Sequence, residues 1–172
     1  MDNTNQPIYQ GQQILLSLPH KLVDYARDFL EGPDLVERVI QHAHMLGVAG
    51  EQNLIVGLYL TGTSRLLARP LACLVMGSSS AGKSFVIDKV AQLFPPEAVL
   101  RAHRITPTAL EHMPSGSLIH RFVATGERSR QKDDAAAVAT RALREMISDG
   151  KLSLAIPEKQ ANGTWETRLI NQ

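Results

Sequence analysis

The chain has 172 residues, 44% of them hydrophobic and 20% charged, with a formal charge of +1. That length suits one domain with at most a small appended element, able to bury about 70% of its unfolded surface without disulfide staples. The near-neutral balance excludes a strong general attraction to nucleic acid, so any basic surface must be local.

No signal-peptide pattern is read at the start. The most apolar window, residues 54–67, is too short for a membrane span and carries Arg65, so none is expected. The single Cys73 lies inside an apolar run, where a buried thiol acting as a small hydrophobe is expected. That cysteine usage suits a reducing cytoplasm.

Residues 1–13 are polar, rich in Asn and Gln and without periodicity, so a tail is expected through about residue 18. A helical region should follow over 19–69. Leu22, Ala26, Phe29 and Leu30 mark a short amphipathic helix ending at Gly32-Pro33. Leu35, Val39, Ile40, Ala43 and Leu46 keep a helical period from Asp34 to Gly47. His42 and His44 lie two apart on that helix, on different faces, which argues against a metal pair. Leu54, Ile55, Leu58, Tyr59, Leu66 and Leu67 predict a third, longer helix over about 51–68, before Arg69-Pro70.

A second part, 70–172, opens with the unbroken apolar run Leu71-Ala72-Cys73-Leu74-Val75-Met76, which predicts a buried strand. The next residues, Gly77-Ser78-Ser79-Ser80-Ala81-Gly82-Lys83-Ser84, fit G-x-x-x-x-G-K-[ST] at every fixed position. Phe85, Ile87, Val90, Ala91 and Phe94 then recur at helical spacing until Pro95-Pro96. The order strand, glycine loop, helix is that of a phosphate-binding loop.

The residue types suit the chemistry. Backbone N–H groups close around a phosphate only where no Cβ intrudes, and the start of the next helix adds positive potential. Residues 77–85 are therefore the candidate ATP-binding residues. Lys83 would contact the β- and γ-phosphates and Ser84 would ligate Mg²⁺. The alternative is a Gly/Ser turn with Lys83 solvated.

Beyond the loop, Ala98-Val99-Leu100 is a weak second strand, and Thr106-Pro107 starts a brief helix to Met113. After the turn at Pro114-Ser115-Gly116-Ser117, residues 118–125 predict a third strand delivering Gly126-Glu127 at its carboxyl end, the end that faces the ligand crevice of an open α/β sheet. Ala139, Ala142, Leu143, Met146 and Ile147 form the stripe of another helix ending at Asp149-Gly150. Leu152, Leu154 and Ile156, a turn-rich stretch over 157–163, then Trp165, Thr167 and Leu169 read as a β-hairpin over 151–170 with Lys159 at its tip.

Hydrolysis needs an acid at the end of a neighbouring strand to hold the metal and to activate water. Glu127 is the carboxylate so placed, which makes Glu127 and Lys83 the candidate catalytic residues and Ser84 and Glu127 the metal candidates. A surface Glu closing a strand is the plainer reading. Thr125 and Thr106 are weaker candidates for phosphate sensing.

Gly47-Val48-Ala49-Gly50-Glu51, Ser64-Arg65-Leu66-Leu67-Ala68-Arg69-Pro70-Leu71, the loop, Leu118-Ile119-His120-Arg121, Glu127 and Ser148-Asp149-Gly150-Lys151-Leu152 together resemble the ATPase module of primase–helicase proteins of mobile genetic elements. The resemblance covers about residues 34–172. It implies a helicase-like ATPase of AAA+ or superfamily 3 type, acting on DNA in replication, in a homo-oligomeric ring and beside a primase.

The family strand ends in a run of glutamates, where this chain reads Gly126-Glu127-Arg128-Ser129. The family enters its next core strand where this chain ends at Gln172, so an incomplete core is expected.

The expected fold is thus α/β: a P-loop NTPase core with a parallel sheet, an N-terminal helical region and a C-terminal hairpin. The hairpin falls where helicases of the resembled type insert one into a central channel, so the resemblance implies that it is the contact with single-stranded DNA. Lys151, Lys159 and Arg168 would neutralise phosphates and Trp165 would stack on bases. Trp165 anchoring the hairpin to the core is the alternative. Two rival functions remain, a small-molecule kinase using the same loop and a nucleotide-binding interaction module without turnover.

Overall fold

A computed structural model describes residues 7–78, 82–103, 105, 109, 112–126, 148–149, 153–160 and 163–171. The described chain is mixed α/β. Four helices come first: α1 (Pro7–Ser17), α2 (His20–Glu31), α3 (Leu35–Met45) and α4 (Gln52–Thr63), the last running into a 3-10 turn over Ser64–Leu66. After the loop come α5 (Lys83–Ala91) and the strands β1 (Val99–Ala102) and β2 (Phe122–Thr125). The hairpin strands β3 (Ser153–Lys159) and β4 (Trp165–Asn171) close the chain. Among the described residues no helix is long and apolar enough to cross a membrane.

Strands β1 and β2 pair in parallel, with Val99 opposite Phe122 and Ala102 opposite Thr125. Period-2 alternation gives this small sheet two apolar faces. Phe122 joins the main core of Val39, Ala43, Val48, Ile55, Leu58, Val86, Val90, Ala91 and Phe94, with Val99 packed against it. On the other face Leu100, Ala102 and Val123 pack against Ile105 and Leu118. Ile55 and Val90 are 0% exposed, each contributing about 1.5–3 kcal/mol by leaving water.

Phe94, just past α5, is the hub of the main core. Its ring lies 5.4 Å from that of Tyr59 and 5.3 Å from that of Phe122, and the Arg65 guanidinium covers it at 5.3 Å. Gly62 makes room for it, since a Cβ there would stand 2.5 Å from the Phe94 ring. Burial lowers the Arg65 pKa from its ordinary value, against the opposing pull of Glu97 and Tyr59. The end of α3 shows why chain order becomes packing. Gly47 takes φ +97, the Val48 N–H donates to the Ala43 carbonyl at 3.1 Å, and Val48 turns into the core.

Four expectations need correction. The tail expected through residue 18 is helical over Pro7–Ser17, entered with Pro at its first position. The strand expected over 71–76 has no regular secondary structure and lies outside any ladder of the described residues. Leu74 and Met76 are each 82% exposed and Cys73 is exposed, not buried. Burying an extended apolar run is costly unless a neighbouring strand satisfies its backbone groups, and the described parallel sheet has its two strands elsewhere. The strand expected over 118–125 begins at Phe122, because His120 takes the left-handed φ of 57 and breaks the extension. Lys159 closes β3 instead of sitting within the turn.

Candidate nucleotide-binding site

The approach to the loop is anchored from α4. Ser64, 4% exposed, donates through Oγ to the Thr61 carbonyl at 2.7 Å and accepts from the Leu71 N–H at 2.8 Å. Val75 then packs against the main core, while the rest of 71–78 stays exposed. Ser79, Ser80 and Ala81 lie outside the described residues.

At the far end of the loop Gly82 holds φ +71, a left-handed conformation that glycine adopts at little cost. Lys83 opens α5, and Val86 donates its N–H to the Gly82 carbonyl at 3.1 Å. The Lys83 ammonium donates to the Gly77 carbonyl at 3.1 Å and to the Ser78 carbonyl, so the residue ties both ends of the loop together. Ser84 and Phe85 are exposed, and Lys89 covers the Phe85 ring at 5.4 Å.

The direction of α5 relates the loop to the sheet. Past its last turn, Phe94 meets Phe122 at the start of β2. From its second turn, Asp88 pairs with Arg101, whose register partner Ala124 is near the end of β2. Helix and strand therefore run in opposite directions, and the start of α5 lies toward the carboxyl end of β2. There the Gly126 N–H extends the ladder by one bond, to the Ala102 carbonyl at 3.0 Å. A Cβ on Gly126 would fall 2.6 Å from the His103 carbonyl oxygen, so only glycine fits this exit. Glu127 is the next residue in the sequence and lies outside the described residues, as does Thr106; Thr125 is half-buried in β2.

The hairpin candidates fall on two faces. Lys159 is in register with Trp165 and Ala155 with Leu169, whereas Arg168 is opposite Ile156 and shares the alternate parity with Glu166, opposite Glu158. Lys159 and Trp165 are exposed, Trp165 by 67%, so Trp165 does not anchor the hairpin to the core. Gln160 donates to Glu166 at 3.1 Å. The hairpin docks through Asn171 instead. Its carbonyl accepts from the Gly116 N–H at 2.8 Å, and its N–H donates to Ser115 Oγ at 2.9 Å. Lys151 lies outside the described residues.

Three features of this arrangement were missed at the level of sequence: the buried hydroxyl of Ser64, the Arg101–Asp88 pair, and the meeting of two blocks 55 residues apart, where His120 Nδ1 lies 3.0 Å from the Arg65 carbonyl. A charged residue inside an apolar strand, Arg101 between Leu100 and Ala102, was the available signal for the second. An open depression of about 390 Å³ lined by Gly50, Glu51, Gln52 and Asn53 lies at the start of α4, and none of the described loop residues lines it. Among the described residues no three His, Cys, Asp or Glu side chains group to hold a metal. No family model, no curated protein and no solved structure matches the chain.

Proposed function

We propose that the chain is a P-loop nucleoside triphosphatase that binds ATP with Mg²⁺ through residues 77–85 and works on single-stranded DNA as a helicase-like module in the cytoplasm. A ring of copies and a primase partner belong to the same proposal. The observation that supports it is the antiparallel course of α5 and β2: Lys83 and Ser84, the last residues of a sequence motif complete at every fixed position, open α5 at the helix end that lies toward the carboxyl end of β2.

The residues suit the ligand. Lys83 already holds two loop carbonyls, acceptors that phosphate oxygens would replace, and the exposed Ser84 hydroxyl stands at the helix start. With ATP bound, Lys83 would pair with the β- and γ-phosphates and the first N–H groups of α5 would face them. Ser84 would hold Mg²⁺, and the ion would supply charge neutralisation on the phosphates. Glu127 would accept a proton from the attacking water, and Lys159 and Trp165 would meet the nucleic acid from one face of the hairpin.

Calorimetry of parent and Lys83→Ala chains tests the binding step. A charge-assisted phosphate contact is worth about 1.5–3 kcal/mol, so at least tenfold loss of ATP affinity is expected, and unchanged affinity sinks the assignment. Production of ADP without any acceptor, accelerated by single-stranded DNA, separates this reading from a kinase and from a binding module without turnover.

A further inference from the structure

The geometry points to Arg101 as a positioning residue that couples the phosphate loop to the strand end leading to Glu127. The inference rests on the nucleotide-site reading above. One guanidinium touches three elements. Arg101 belongs to β1, donates through Nε to Asp88 of α5, and donates through Nη1 to the Ala124 carbonyl of β2 at 3.3 Å. Asp88 lies five residues after Lys83 on the same nine-residue helix, and Ala124 lies two residues before Gly126.

Neither end has slack. Lys83 is tied to the loop carbonyls at one end. At the other, Gly126 is pinned by its bond to Ala102 and by the close approach of His103. A small rotation of α5 when phosphate draws Lys83 off those carbonyls is therefore transmitted through Asp88 and Arg101 to the β2 backbone.

Magnitudes favour a positioning role over a scaffolding one. The Asp88 and Arg101 side chains are 47% and 25% exposed, and pairs this accessible contribute little to stability. A misplacement of about 1 Å between reacting groups, by contrast, costs on the order of a hundredfold in rate.

The test uses amide exchange followed by NMR on the full chain, with and without Mg·ATP. Val86, bonded to Gly82, reports on the loop side, and Gly126, bonded to Ala102, reports on the strand end. In the parent, Mg·ATP is expected to slow both amides at least tenfold. In Arg101→Met the Val86 response should persist while that of Gly126 falls below twofold. Asp88→Asn, which leaves Arg101 its bond to Ala124, should reduce the Gly126 response at least threefold and reads the same link if the methionine variant folds poorly. A purely structural role would alter the basal exchange of Gly126 but not its ratio with and without nucleotide. If Mg·ATP changes neither amide of the parent, the nucleotide reading and this inference fall together. If the parent responds at Val86 alone, or both variants keep the parent response at Gly126, or Arg101→Met loses both responses, this inference falls and the nucleotide reading stands.

Discussion

Two apolar runs of similar composition have opposite fates in this molecule. Phe122, Val123 and Ala124 pair with β1 and supply both faces of the sheet, with Phe122 6% exposed beneath the Phe94 ring. Leu71 to Met76 is longer and as apolar, yet it lies outside the ladder, with Leu74 and Met76 in solvent and Val75 reaching the core. The difference lies in the partners. Hydrophobicity makes burial favourable, but only a neighbouring strand satisfies the backbone groups that burial would strip of water.

The comparison breaks most sharply at its extremes. Phe122→Ala should cost about 3–5 kcal/mol, through lost transfer energy and the cavity left beneath Phe94, whereas Leu74→Ala should stay within about 0.5 kcal/mol. Urea denaturation of both variants measures this. A large loss at Leu74 would mean that the segment is buried in solution.

Ser64→Ala probes the tie that holds the start of the unpaired run to the turn after α4. It leaves the Leu71 N–H without its buried acceptor and should cost about 1–3 kcal/mol. Amide exchange at Leu71 should accelerate with it. Unchanged exchange would show that the segment is held by something other than this hydroxyl.

Much of this was legible in the sequence and some was not, for physical reasons. Helices α2 to α5 and both hairpin strands announce themselves by local period, because apolar residues recur along each at the spacing of the element's own geometry. The fate of residues 71–76 depends on which strands stand beside them, and no local pattern carries that. Residues 7–17 looked like a tail because their apolar positions, Ile8, Ile14, Leu15 and Leu16, lie among Gln and Gly without a helical period; as a helix, they leave Leu15 and Leu16 more than half exposed. The loop motif was complete in the sequence. The Arg101 link was not, since it joins residues 13 and 23 positions apart through one side chain.

Catalysis offers a further separation, between binding and turnover. Glu127→Gln should keep ATP affinity at the parent value while abolishing hydrolysis, since the amide preserves shape and loses the acceptor for the water's proton. Turnover at the parent rate would make Glu127 a surface residue.

The smallest expected effect concerns a second exposed region, the hairpin. Like Leu74, Trp165 is in solvent, but it sits in a formed ladder opposite Lys159, so its exposure does not follow from a missing partner strand. An exposed indole beside an ammonium suits single-stranded nucleic acid, where stacking is worth about 1–3 kcal/mol per base and each phosphate contact about 0.7 in the slope of log affinity against log salt. The parity of Arg168 places it with the carboxylate-bearing positions 158 and 166, whose charge opposes a phosphate backbone. Lys159→Ala should therefore flatten the salt dependence by about 0.7 while Arg168→Ala leaves it unchanged, in an oligomerising preparation titrated with single-stranded DNA. Equal effects of the two variants would remove the distinction between the faces, and no effect of either would leave the hairpin a purely structural element.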